Sequence, residues 1–154
     1  MRTFTQIINE SIDISKAANN FDYDKYFRKS IGLKRSQMPQ IFDEHFDDTI
    51  ADLERLYGLE VVMLPLAKLL PTQCEVNVDK IKAKMSDIDC SSLKFICSDD
   101  LHIADGHHSH VAGLLVEPDT EVKVYKVDIE TRKLITALNR MKHTVSHNIN
   151  ESNV

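Results

Sequence analysis

The densest concentration of reactive side chains is Asp105-Gly106-His107-His108-Ser109-His110-Val111-Ala112, which follows the alternating run Leu101-His102-Ile103-Ala104. A glycine and three imidazoles at the junction of a strand and a helix place backbone N–H groups and the positive end of a helix dipole where an anionic ligand can meet them. Asp105, at the strand end, can ligate Mg²⁺ or cap the following helix. Thr72 and Gln73, in the upstream loop Pro71-Thr72-Gln73-Cys74-Glu75-Val76-Asn77, can hydrogen-bond a base or sugar or order their own turn. His107 and His110 share a helix face at i, i+3 spacing, so with His102 or Asp105 they could take a transition metal. Phosphate-facing or surface histidines explain the cluster equally well.

Asp-Gly-His-His leading into a helix, with the Pro71–Asn77 loop upstream, resembles the ParB/sulfiredoxin superfamily, in particular its small phage and bacterial members. The likeness runs over residues 60–140. It implies a mixed sheet flanked by helices, whose strand-to-helix turn holds nucleotide phosphates, and therefore ATP or ADP with Mg²⁺. By the same resemblance, Gly106, His107, His108, Ser109 and His110, with Thr72 and Gln73, bind the nucleotide. Glu75, which matches the glutamate that activates the substrate hydroxyl in the serine-kinase branch, joins His107 and His108 as catalytic. The sulfiredoxin reaction is set aside, because that branch carries a cysteine where this chain has His107 and His108.

One position departs from the family pattern Gly-x-x-Arg-x-x-Ala. Gly106 and Ala112 fit, but Ser109 stands in place of the arginine. A hydroxyl gives one neutral hydrogen bond where a guanidinium gives a charged fork, so the phosphate grip must weaken or come from elsewhere, with His107, His108, His110 and Lys94 as candidates. Three functions from different classes follow. They are a phosphotransferase or hydrolase acting on a hydroxyl-bearing small molecule or protein, a ParB-like nucleotide-gated or DNA-associated module, and an inactive phage protein using the fold for protein binding.

The 154 residues suit a single domain that buries about two-thirds of its unfolded surface without a staple. Cys74, Cys90 and Cys97 have no Cys-x-x-Cys spacing, and neither a signal peptide nor an apolar run of spanning length is visible, which points to a reducing cytosol and no membrane. A net charge of −5 argues against a general nucleic-acid surface. It also disfavours a ParB-like nuclease, whose paired carboxylates would have to come from Asp99, Asp100 and Asp105, residues better suited to a turn and a cap.

The opening Met1-Arg2-Thr3-Phe4-Thr5-Gln6-Ile7-Ile8-Asn9-Glu10 places Phe4, Ile7 and Ile8 at helical spacing. It resembles the head-targeting peptides of T-even-like phages, which a prohead protease cuts after Leu/Ile-x-Glu. Ile8-Asn9-Glu10 matches that motif, with Ile8 and Glu10 as the processing residues, and implies phage head proteins as partners and a location in the host cytoplasm or the virion. The same residues also suit a plain N-terminal helix.

These readings divide the chain into a cleavable peptide (1–10), a helical extension (11–58), an α/β ParB/sulfiredoxin-like domain (59–143) and a polar, disordered tail (144–154). Phe42, Phe46, Ile50, Leu53 and Tyr57 recur at steps of three and four through an acidic stretch that Gly58 ends. The aromatic cluster Phe21, Tyr23, Tyr26 and Phe27 precedes Gly32, read as a helix C-cap. Arg35–Ile41 is expected to close over the pocket or lead into the acidic helix. Strands are expected at 60–65 and 121–127, a hairpin of 93–97 with 101–104, and helices at 78–85, 107–115 and 129–141.

Overall fold

A computed structural model describes residues 13–141 and the backbone of 144–146. In chain order the elements are α1 (Ile14–Asn20), α2 (Tyr23–Phe27), β1 (Pro39–Ile41), α3 (Phe46–Tyr57), β2 (Leu59–Pro65), α4 (Val78–Met85), β3 (Lys94–Cys97), α5 (His107–Val116), β4 (Glu121–Val127), α6 (Thr131–Arg140) and β5 (Thr144–Ser146). The architecture is mixed α and β, as expected. The main sheet runs β2-β4-β3, with β4 antiparallel to β2 and parallel to β3. Its register sets Val62 opposite Val124 and Leu64 opposite Val122. The alternation along β4 therefore turns Val122 and Val124 into the core and leaves Glu121 and Lys123 in water.

Local chemistry fixes most helix starts. The side chains of Asp13, Asp22, Asn77 and Glu130 each accept a backbone N–H in the first turn of α1, α2, α4 and α6. The Glu130 cap starts α6 at Thr131, so Ile129, expected to open this helix, lies outside it. Gly58 ends α3 at φ +79°, as its position suggested. Gly32 does not cap a helix: α2 has ended at Arg28, and Gly32 makes a turn at φ +80° with its N–H on the Ser30 hydroxyl.

Two further expectations change. Residues 144–146, assigned to a disordered tail, form β5 and pair with Pro39–Ile41. The division at residue 58 is not a structural boundary. Ala18 and Tyr26 share a core with Ile81, Met85 and Val111, while Met38, Phe46 and Leu53 pack with Ile96, Val127 and Leu134. The processing residues Ile8 and Glu10 lie outside the described residues, as do 147–154. Among the described residues, no helix is long and apolar enough to cross a membrane.

The expected hairpin after β3 is present but short, with one antiparallel bridge between Cys97 and Ile103 and Ala104 N–H donating to Ile96 O at 2.8 Å. This return carries the chain back along β3, so α5 begins beside Phe95 near the amino end of that strand. A Cβ on Gly106 would sit 3.4 Å from the Phe95 ring. At the middle of α5, a Cβ on Gly113 would stand 2.7 Å from Cδ1 of the fully buried Leu66. Gly113→Ala should thus lower unfolding stability by about 1 kcal/mol, its helix-propensity gain being outweighed by overpacking. Chemical denaturation checks this, and a gain in stability would show that Leu66 yields freely.

Candidate functional site

The strand-to-helix turn opens on a cleft of about 1250 Å³ whose lining includes Gly106, His107, His108 and Ser109. Gly106 is the N-cap of α5 at φ +91°, with no side chain capping the helix, so its first turn presents backbone N–H groups toward this space. Around it stand Arg35, Lys80, Lys84 and Lys94 against the carboxylates of Asp43 and Asp105. A chain of net charge −5 thus gathers four cations against two anions in one concavity. Such a surplus draws in an anionic ligand.

Three elements bring these cations together. Lys80 and Lys84 lie one turn apart on α4, an i, i+4 pair that shares a helix face. Lys94 opens β3, and its ammonium rests 4.0 Å above the Phe46 ring. Arg35 starts the single 3₁₀ turn Arg35–Gln37 ahead of β1. Of residues 35–41, expected to close over the pocket or lead into the acidic helix, Arg35, Gln40 and Ile41 line the cleft.

The histidines work mainly as scaffold. His107 is buried, and its Nε2 accepts the backbone N–H of Thr72 at 2.9 Å and of Gln73 at 3.3 Å, which places its own proton on Nδ1. Burial, with the neighbouring His110, His108 and His102, holds it well below the ordinary imidazole range. A neutral ring that accepts two N–H groups orders the Pro71 loop. His108 does the same one step along, its Nε2 accepting Asn77 N–H at 2.9 Å while the residue lines the cleft. His110 is sealed between the Tyr26 hydroxyl, 2.7 Å from Nδ1, and Leu66 O, 2.8 Å from Nε2. Burial lowers it to about 4, against the pull of its bond to Leu66.

The Pro71 loop is stitched from both sides. The Thr72 hydroxyl donates to Ile103 O at 2.6 Å, and the Gln73 amide donates to Glu75 O. Thr72 is fully buried, whereas Gln73, also buried, reaches the cleft lining. Glu75 is exposed and lies outside that lining. Its carboxylate accepts the backbone N–H of Arg35 at 2.7 Å. Of the two carboxylates that line the cleft, Asp105 is held at the turn itself, with Oδ1 accepting Gly106 N–H at 2.8 Å and Oδ2 accepting Ile41 N–H at 3.1 Å. Burial raises its pKa to about 6, despite those two donors and the nearby Lys84 ammonium, and Asp43 adds to the rise.

Among the described residues, no group of three or more His, Cys, Asp and Glu side chains is placed to hold a metal ion. His107, His110 and His102 each face different partners, with His102 Nε2 3.1 Å from Lys29 O and Nδ1 3.0 Å from Asp100. The set Ser98, Asp100 and His102 has the residue types of a hydrolase triad but not its geometry. The buried Ser98 hydroxyl meets Asp100 and Thr131 and locks the hairpin to α6. Burial pushes the Cys90 and Cys97 thiols up, Cys90 to about 11, so both are small apolar core residues at neutral pH.

Sequence reasoning placed Gly106, His108, Ser109, Gln73 and Asp105 at one locus, and Lys94 was named as a source of charge. It did not single out Arg35, Lys80, Lys84 or Asp43. Lys80 and Lys84 stand at i, i+4 spacing, but nothing local says that α4 packs beside α5. Comparison of the chain with protein-family models, with curated proteins and with solved structures gave no match.

Proposed function

We propose that the chain binds a nucleotide, ATP or ADP, through its phosphates in this cleft and moves a phosphoryl group from it to a hydroxyl or to water. The observation that carries this reading is the meeting of four cationic side chains with the uncapped first turn of α5 around one carboxylate whose pKa lies near 6. On this reading the protein is a ParB/sulfiredoxin-like phage protein whose general base is Asp105 rather than Glu75. An acceptor hydroxyl gives its proton to Asp105 as its oxygen attacks the terminal phosphorus, and ADP leaves with the electrons of the broken P–O bond. The lysines and backbone amides stabilise the charge that spreads over the phosphoryl oxygens. Magnesium would enter with the nucleotide, carried by its phosphates, and Asp105, whose two oxygens accept one N–H each, keeps lone pairs for the proton.

Ser109 lies at the third position of α5 and lines the cleft. Ser109→Arg should therefore tighten ATP binding by roughly 1.5 to 3 kcal/mol, the worth of a hydrogen bond to a charged group. Calorimetric titration with ATP, ADP and CTP, with and without Mg²⁺, tests both this variant and the reading itself. Absence of heat with every nucleotide would remove the reading. Binding without product formation would leave a nucleotide-gated module of the ParB kind. Packaging into a phage head and cleavage after Glu10 rest on the opening Met1–Glu10 with its Ile8-Asn9-Glu10 motif, and mass spectrometry of protein recovered from virions would decide them.

A further inference from the structure

We infer that Arg35 is the guanidinium that grips the anionic oxygens of the ligand, held in place by Glu75, so that affinity for the phosphate-class ligand is set from the 3₁₀ turn ahead of β1. This rests on the reading of the cleft as a phosphate site and adds the residue that supplies its fork.

Arg35 lines the cleft, yet its Nε is buried with no hydrogen-bond partner among the described residues. Buried donors in folded proteins are nearly always satisfied, and a guanidinium N–H left over at a cleft calls for an acceptor beyond the described residues, which a ligand oxygen would supply. None of the ion pairs among the described residues involves Arg35. A planar fork of donors matches two oxygens of a phosphate in a way that the point charges of Lys84 and Lys94 do not.

Among the described residues, the backbone of Arg35 is anchored although no partner holds its Nε. Its N–H donates to Glu75 Oε1, and the residue two before it is clasped by the same loop, with Leu33 N–H on Thr72 O and Cys74 N–H on Leu33 O. That loop hangs in turn on His107 through Thr72 and Gln73. A continuous set of hydrogen bonds thus runs from α5 through the Pro71 loop to Arg35. Glu75 is a positioning residue in this arrangement, since it touches the main chain of Arg35 and stays outside the cleft.

Calorimetry with ATP and with inorganic phosphate on the full chain tests this. Arg35→Ala should weaken ATP binding tenfold or more, and Arg35→Lys should recover only part of the loss, because an ammonium restores the charge without the fork. Glu75→Ala should weaken ATP binding severalfold in the native background and have no effect once Arg35 is alanine. Circular dichroism and thermal melts check that each variant is folded. If the unaltered protein binds ATP and Arg35→Ala binds equally well, Arg35 is not the grip, although the phosphate reading stands. If Glu75→Ala costs the same with and without the Arg35 guanidinium, the positioning role is wrong. If the unaltered protein binds neither ATP nor phosphate, the cleft reading and this inference fail together.

Discussion

Asp105→Asn is expected to lower phosphate release from ATP by about 10²–10⁴-fold, the range a positioned general base contributes, while leaving ATP affinity equal or slightly higher. The substitution keeps the size of the side chain and one acceptor oxygen for either Gly106 or Ile41 N–H, but it removes the only cleft-lining carboxylate that burial holds near pH 6. Affinity should not fall, because a negative charge leaves a site that binds anions. The pH profile carries the same information. Turnover by the native protein should rise as Asp105 loses its proton through about pH 6 and then level off, whereas anion binding should strengthen below that point. Equal activity of native and Asp105→Asn proteins across this range would reject the assignment, and loss of binding together with turnover would mean that Asp105 shapes the cleft rather than reacting in it.

The second large effect concerns stability. His110→Leu should destabilise the fold by about 1 to 3 kcal/mol, since it leaves the buried Tyr26 hydroxyl without a partner, leaves Leu66 O with only the Leu69 N–H, and removes a ring packed against Tyr26 and Phe95. Tyr26→Phe alone should cost less, and the double variant should cost less than the two singles combined, because one hydrogen bond is counted in both.

Acid acts on the same group. The unfolded imidazole takes its proton near 6.5 and the folded one only near 4, so the unfolded chain binds more protons in that window and stability falls as pH falls through it. For His110 the full loss is roughly 3 kcal/mol, and His107 acts in the same direction. Asp105 opposes them. Its folded pKa is raised from 3.8 to about 6, so the folded state binds more protons as pH drops from 6 and gains stability. The fall in melting temperature between pH 6.5 and 4 should therefore be steeper for Asp105→Asn than for the native protein. A shallower fall in that variant would contradict the protonation states assigned here.

Much of the fold was legible because its signals are local. The 78–85 and 121–127 elements follow directly from apolar periodicity, and Gly58 ends α3 where a residue at positive φ is needed. The α6 boundary moved because a glutamate, not the apolar stripe, decides where that helix begins. The pairing of 144–146 with β1 could not be read from either segment, because three polar-flanked residues acquire a strand only from a partner distant in the chain.

The site was legible as a place and less so as a set of roles. The Asp-Gly-His-His turn does border the cleft, but sequence gives residue types without directions. His107 turns inward to the Pro71 loop, and Glu75 turns to the main chain of Arg35. The charge that Ser109 does not supply stands on α4 and on the turn ahead of β1, brought near only by tertiary packing.

Phosphate-class oxygens are expected to sit against the first turn of α5. An amide-resolved NMR titration of the full chain with ATP tests it most directly. The expected result is a set of saturable shifts concentrated on Gly106 to Ser109, Arg35 and Lys84, with the exposed end of α6 unmoved. Saturable shifts that cluster away from the cleft, or no shifts at millimolar ATP, would contradict it.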